Sequence, residues 1–282
     1  MVSRFEPKAR RMLQERLDLS QNLAADSVPR ATHLAIAEVR EILSLPEPAF
    51  RPWLAPDRWV LGGAVLHWLR SGAGGEASGP LDYDFYFPTI DALNRGVADF
   101  LAAGFTFSCF QLWGDRCPFC GLAGSLERRE AAGPAAVPLV KAGCRVCEPA
   151  GVAGRWGSRL RITAESLAAS GLVALDLLSP RGELFQLAAI AFEPTPSRLI
   201  ESADYSICQL GLDDRSLYFG RYTWTDLLAG RLRVENLHRS CYSRLRKYQG
   251  KGFSPDPATL ARVLGFHLYL QARELLTRRG KA

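Results

Sequence analysis

The spacing of apolar and polar residues changes several times along the chain, and each change marks a predicted element. Ala9 to Leu17 and His33 to Leu45 repeat apolar positions at close to 3.6 residues, so residues 1–50 read as helical, with Pro29 between the two stretches. Pro46, Pro48 and Pro52 mark a loop. Trp59-Val60-Leu61 is a short, strand-like apolar run that enters Gly62-Gly63, and a short helix is predicted to follow through Arg70. Residues 71–80, SGAGGEASGP, read as a Gly/Ser loop. Leu81-Asp82-Tyr83-Asp84-Phe85-Tyr86-Phe87 alternates apolar with acidic residues before an aromatic run, which predicts a strand. Ile90 to Ala103 fits a helix and Phe105 to Trp113 a strand. Gly171 to Leu178 and Glu183 to Phe192 fit a hairpin around Pro180-Arg181-Gly182. Pro194 to Leu199 reads as a connection and Tyr205 to Leu212 as a strand. Asp256-Pro257 is a helix start, with Asp as cap and Pro in the first turn. Leu260, Val263, Leu264, Leu268, Leu275 and Leu276 then form an apolar stripe.

Residues 114–158 differ in texture. They are rich in Gly, Ala, Pro, Arg and Cys and poor in large apolar residues, and they read as an insertion after which regular structure returns at Leu160. The picture is an α+β fold. N-terminal helices occupy 1–55, a core with the insertion spans 56–220, and a basic helical part covers 221–282.

Bulk properties narrow the function classes. With 282 residues, 48% of them hydrophobic, the chain can bury a real core. No apolar run approaches the roughly 20 residues that span a bilayer, so no membrane partner is expected. Met1 to Arg11 is charged and lacks the apolar centre of a signal peptide, which makes a cytoplasmic location the expectation. The net charge of +6 is uneven: 231–282 holds twelve Lys/Arg and three Asp/Glu, and the remainder is slightly acidic. Such a basic segment suits an anionic partner, nucleotide phosphate or nucleic acid, though a solvated helical face has the same charge pattern.

Asp82 and Asp84 are the candidate catalytic pair. Residues two apart on a strand share a face, so the two carboxylates stand together while Tyr83 and Phe85 point to the other side. Paired carboxylates repel unless a cation lies between them. Magnesium prefers such oxygens and leaves positions open for phosphate. A polar strand edge carries the same DxD, and the pair alone does not separate the two readings. Gly62-Gly63 adds to it: glycines before a helix let the backbone approach a polyphosphate and aim amides at it.

In that order, Gly-Gly, helix and Asp-x-Asp with apolar neighbours, the chain resembles the polymerase-β nucleotidyltransferase superfamily. Leu184-Phe185-Gln186-Leu187 resembles the strand that precedes the third carboxylate in many members. Ala203-Asp204-Tyr205-Ser206-Ile207-Cys208-Gln209 resembles the "FDFTxCQ"-like segment of a bacterial, phage and large-virus branch. Arg244-Leu245-Arg246-Lys247-Tyr248 with Gly252-Phe253 resembles that branch's "RxxKYxxRGF" element. The likeness spans about 60–253, the insertion excepted. It implies a nucleotidyltransferase-type mixed sheet with flanking helices. It implies transfer of NMP from an NTP to a hydroxyl, with magnesium held by Asp82, Asp84 and Asp204. Asp204 would be the third acid, on an adjacent strand, and Asp213-Asp214 is the competing acidic pair. Gly62, Gly63, Arg244 and Lys247 would meet the nucleotide phosphates. The chain departs from the pattern at Ala64, where the superfamily usually has a serine whose hydroxyl meets the triphosphate. That departure keeps a second reading open: a weak or inactive module that binds nucleic acid or a protein partner.

Seven cysteines without an export signal argue against a disulfide framework. Cys117-x-x-Cys120 and Cys144-x-x-Cys147 form two CxxC pairs whose four thiolates can complete a tetrahedral zinc site, making the insertion a small zinc-ribbon-like element. Zinc would supply the folding free energy that a segment so poor in apolar residues lacks, and a site filled by four sulfurs would be structural. The arginines and lysine in and near it, Arg116, Arg128, Arg129, Lys141 and Arg145, extend the case for a nucleic-acid acceptor, an RNA end above all. Cys109, Cys208 and Cys241 read as buried thiols and the four histidines as structural.

Overall fold

Alternation along the strands decides which side chains reach the core and which reach the candidate site. A computed structural model describes residues 31–71, 82–120, 122–123, 126–132, 139–144 and 161–279. In chain order its elements begin with β1 (Ala31–Ala35), α1 (Ile36–Leu43), β2 (Trp59–Leu61), α2 (Gly63–Ser71), β3 (Asp82–Tyr86) and α3 (Ile90–Ala102). β4 (Thr106–Leu112), β5 (Leu126–Ala132), β6 (Leu139–Cys144), α4 (Ala164–Ser170), β7 (Leu172–Leu178) and β8 (Leu184–Ala188) follow. The chain continues with α5 (Pro196–Glu201), β9 (Leu210–Leu212), β10 (Ser216–Gly220), α6 (Thr223–Ala229), α7 (Cys241–Gly250) and α8 (Pro257–Arg279). The fold is α+β. Two compact units share the chain: Met1–Arg51, Leu61–Ala77 and Pro196–Ala282 form one, Pro52–Val60 and Ser78–Thr195 the other.

The second unit is built on a mixed sheet. β2 pairs antiparallel with β3 through Trp59↔Tyr86 and Val60↔Phe85, and β3 pairs parallel with β8. The antiparallel pairs β8–β7, β7–β4, β4–β6 and β6–β5 complete it. One face of the β3–β8 region is an aromatic core. Phe185 is 2% exposed, and its ring lies 4.7 Å from Tyr83, 4.8 Å from Phe105, 5.5 Å from Phe85 and 5.6 Å from Phe100, centroid to centroid. Close ring pairs of this kind add to the burial of 150–250 Å² per aromatic side chain. α3 starts at Thr89, whose hydroxyl accepts from Ala92 N–H at 3.1 Å.

In the first unit β1, β10 and β9 form an antiparallel ladder. Buried Leu210, Leu212, Leu217, Phe219 and Trp224 pack inside. Asp226, fully buried, accepts from Ser206 Oγ at 2.7 Å and from Arg233 Nε at 2.9 Å, and so ties α6 to the segment before β9. Asp256 caps α8 by accepting from Thr259 N–H at 2.7 Å, with Pro257 as the first helical residue. The α8 stripe lies mostly at the surface: Val263 is buried, but Leu268 and Leu276 are more than 60% exposed. Among the described residues no helix is long and apolar enough to cross a membrane.

Several expectations are corrected. His33 to Ala35 belongs to β1 rather than to a helix, because pairing with β10 (His33↔Tyr218, Ala35↔Ser216) holds it extended; the helix starts at Ile36. Pro194 to Leu199 is more than a connection, since Pro196, well suited to a first turn, opens α5. Tyr205 to Leu212 is a strand only from Leu210; Ser206–Cys208 is a 3-10 turn. Regular structure does not pause until Leu160: β5 and β6 lie within the insertion, and β6 extends the sheet from the β4 edge by main-chain pairing, which needs no large side chain. Ala9 to Leu17 and most of the Gly/Ser loop lie outside the described residues.

Phe185→Ala removes the ring that Tyr83, Phe85, Phe100 and Phe105 pack against, so we expect a loss of about 3–5 kcal/mol of stability, read by denaturant titration.

Candidate functional site

β3 places Asp82 exposed and Asp84 half-buried on one face, with Tyr83 at 4% and Phe85 at 0% exposure on the other. The pair required by the sequence reading therefore stands on one side of a strand anchored in the aromatic core. The register carries that face across two more strands. Asp84 lies opposite Gln186 of β8, and Gln186 lies opposite Asp176 of β7. Gln186 Nε2 donates to Asp176 Oδ1 at 3.3 Å, Gln111 Nε2 of β4 donates to the same oxygen at 2.7 Å, and the Cys109 thiol meets Oδ2 at 3.3 Å. Asp176 is 1% exposed. Gln186 and Asp176 were not singled out from the sequence; only the strand register brings them into this row. The one local signal was a polar residue inside each of two apolar strand patterns.

In the other unit, Gly62 has φ +65°, a left-handed conformation suited to glycine, and its N–H donates to Leu210 O at 2.8 Å. Gly63 opens α2, and a Cβ built on it meets nothing within 4 Å. The first N–H groups of this helix, from Gly63, Ala64 and Val65, have no acceptor within the helix. The Ala64 methyl is buried at 2% exposure.

Asp204 sits just before the 3-10 turn, beside the isolated bridge Tyr205↔Val234, not on a strand. Its carbonyl accepts from Glu235 N–H at 2.7 Å and Asn236 N–H at 3.2 Å. Its side chain is buried. Oδ1 accepts from Tyr205 N–H at 3.0 Å and pairs with Arg244 at 3.1 Å, while Oδ2 is buried with no hydrogen-bond partner among the described residues. Burial pushes the Asp204 carboxyl above the ordinary carboxylate range, against the opposing pull of Arg244 and His238. Arg244 also donates to Tyr248 OH at 3.1 Å. Lys247, on the same helix, is exposed. Cys208 meets Tyr248 OH at 3.0 Å, and burial raises its thiol pKa to about 11, so it is no nucleophile at neutral pH. Cys109 and Cys241 are buried as well, as the sequence suggested. Asp213 accepts from Arg215 N–H, Ser216 N–H and Tyr218 OH, which occupies it in the β9–β10 turn.

The sulfur atoms of Cys117, Cys120 and Cys144 all lie within 4.8 Å of one another. Cys120 and Cys144 Sγ are 3.9 Å apart, and Phe119 N–H donates to Cys117 Sγ at 3.4 Å. This is a donor set for a thiophilic metal ion. Cys147, Arg145 and the side chains of Arg128, Arg129 and Lys141 lie outside the described residues.

Solved structures of CCA-adding enzymes are similar to this chain. The complex with CTP matches at 13% identity and a TM-score of 0.41, over 80% of this chain and 44% of that one. The Thermotoga maritima enzyme complexed with tRNA matches at 14% and 0.40, over 80% and 43%. An apo form matches at 13% and 0.46, over 86% and 47%. The chain thus spans less than half the length of these enzymes, and no residue assignment rests on the likeness. No protein-family profile matches the chain, and no curated protein matches it.

The raised Asp204 pKa has a stability consequence. Its protonated form suits the fold better than its anion, so its contribution is full below pH 3.8 and is lost as pH rises through the higher folded value. Asp204→Asn mimics the protonated state. We expect its stability to improve relative to the native protein as pH climbs through that window, measured by thermal denaturation across pH; a constant difference contradicts the assignment.

Proposed function

We propose that this protein is a magnesium-dependent nucleotidyltransferase that transfers NMP from an NTP to a hydroxyl, with an RNA end as acceptor. The observation that carries the reading is the Asp82/Asp84 pair, fixed on one face of β3 by the burial of Tyr83 and Phe85. The donor set fits the ion: both groups are carboxylates, hard oxygen ligands, and their exposure leaves room for phosphate oxygens. Magnesium bound there supplies neutralisation of charge that develops on the phosphoryl group during in-line displacement.

The protein's own groups do the rest. The reading assigns the nucleotide phosphates to the Gly62-Gly63 turn, where the open space above Gly63 admits a ligand and the α2 N-terminus favours an anion. Arg244 and Lys247 are the assigned phosphate cations. Asp204 is the assigned third acid; the support for it is that its Oδ2 has no hydrogen-bond partner among the described residues. Ala64 presents no hydroxyl, so backbone amides carry that part of phosphate binding. The RNA assignment is supported by the positive balance of 231–282.

The purified protein is incubated with magnesium, each labelled NTP and a mixed RNA pool, beside Asp82→Ala/Asp84→Ala. Label transferred to RNA by the native chain and reduced to background in the variant is the expected outcome. Transfer to DNA or protein instead moves the acceptor; no transfer to any of these overturns the reading.

For the cysteine cluster, we assign zinc, with Cys117, Cys120 and Cys144 as ligands and Cys147 as the fourth thiolate expected from the sequence. Elemental analysis is expected to give about one zinc per chain, as a single four-thiolate site requires. Cys144→Ser is expected to lose most of the metal and to lower the melting temperature. A reduced, folded, zinc-free native protein contradicts the assignment.

A further inference from the structure

The polar row that begins at Asp82 and Asp84 does not end there. On the same face, β8 sets Gln186 directly across from Asp84, and β7 sets Asp176 directly across from Gln186. The row runs from solvent inward: Asp82 is exposed, Asp84 and Gln186 are half-buried, and Asp176 is 1% exposed. The Gln186 atom facing Asp176 is its NH2 group, which donates to Oδ1 at 3.3 Å. Gln111 donates to the same oxygen at 2.7 Å and so holds the Asp176 carboxylate in place from the far side. With the nitrogen committed to Asp176, the amide's planar geometry turns Oε1 away from that partner. Among the described residues Oε1 accepts no hydrogen bond.

We infer that Gln186 Oε1 is a further oxygen ligand of the cation held by Asp82 and Asp84, and that Asp176 is a positioning residue that fixes the orientation of the Gln186 amide. The inference rests on the metal reading of the aspartate pair. Its physical basis is the cost of leaving an amide unoriented beside a cation. An amide presents either a donor NH2 or an acceptor oxygen, and only the oxygen binds metal. A buried carboxylate behind it selects that orientation, as outer hydrogen-bond partners orient metal ligands generally. A neutral oxygen across from Asp84 also adds a donor without a third negative charge, which limits repulsion within the row when no ion is bound.

Mn2+ alone, with no nucleotide, is the probe, and its binding is followed by electron paramagnetic resonance with the folded state checked by melting temperature. The native protein is expected to bind, and Asp84→Asn to lose binding. Gln186→Met keeps the side chain's length but removes the amide, and Asp176→Leu removes the acceptor that orients it. Each is expected to weaken Mn2+ about tenfold, at the lower end of what such outer partners control. Asp176→Asn keeps an oxygen for the Gln186 NH2 and is expected to restore most of the affinity. Gln186→Glu alone would set a second carboxylate against Asp176, so it is combined with Asp176→Asn, whose NH2 can donate to it; this pair is expected to bind at least as tightly as the native protein, which a merely structural glutamine does not predict. Should Asp176→Leu fail to fold, the two Gln186 variants decide the matter, since that side chain is half-exposed. Native affinity in Gln186→Met, or equal weakening in Gln186→Met and in the Gln186→Glu/Asp176→Asn pair, overturns the inference while leaving the aspartate site standing. Absence of Mn2+ binding by the native protein, or binding indifferent to Asp84→Asn, overturns both.

Discussion

The alternation of β3 is the constraint from which the candidate site follows. Tyr83 and Phe85 are drawn into the aromatic cluster around Phe185, and a one-residue slip would carry both rings into solvent and both aspartates into the core. The register is therefore set by burial, and the carboxylates are where they are because their neighbours cannot be anywhere else. Two like charges held side by side weaken the fold when no counter-charge is present. The aromatic face offsets that weakness. The parallel pairing with β8 then repeats the arrangement: Phe185 and Leu187 face the same core, and Gln186 is turned to the polar side beside Asp84.

The other unit handles charge differently. Asp204 and Asp226 are both buried, and each is met by an arginine: Arg244 for Asp204, Arg233 for Asp226. Asp226 is fully engaged, and its pair reads as a structural tie between α6 and the 3-10 turn. Asp204 is not, since among the described residues one of its oxygens has no hydrogen bond, and its pKa is pushed upward by burial. An incompletely satisfied buried carboxylate costs stability. On the proposed reading that difference supports Asp204 over Asp213 as the third acid, since the Asp213 carboxylate accepts three hydrogen bonds within its own turn.

Much of this was legible in the sequence, and what was not has a physical reason. The β3 strand, the helix after Gly62-Gly63, the Thr89–Ala102 helix and the Asp256 cap are local patterns, and local patterns were read nearly to the residue. His33 to Ala35 has helical spacing but becomes a strand because β10, more than 180 residues later, pairs with it. The turn at Ser206–Cys208 interrupts an apolar run because Ser206 and Thr223 are held by Asp226 and by main-chain carbonyls, contacts that the run itself does not encode. The cysteine spacing did anticipate three thiols within reach of one another. Gln186 and Asp176 were invisible as site residues: each is a single polar residue in an apolar strand, and only the pairing of β3, β8 and β7 makes them neighbours of Asp84.

The central claim is that the aspartate pair binds the cation that also binds nucleotide phosphate. Phosphorus-31 electron–nuclear double resonance on Mn2+ with ATP and the native protein tests it directly. The account predicts protein-bound Mn2+ with phosphorus coupling, lost when Asp82 and Asp84 are both changed to asparagine. The same coupled, protein-bound signal in that double variant would contradict it.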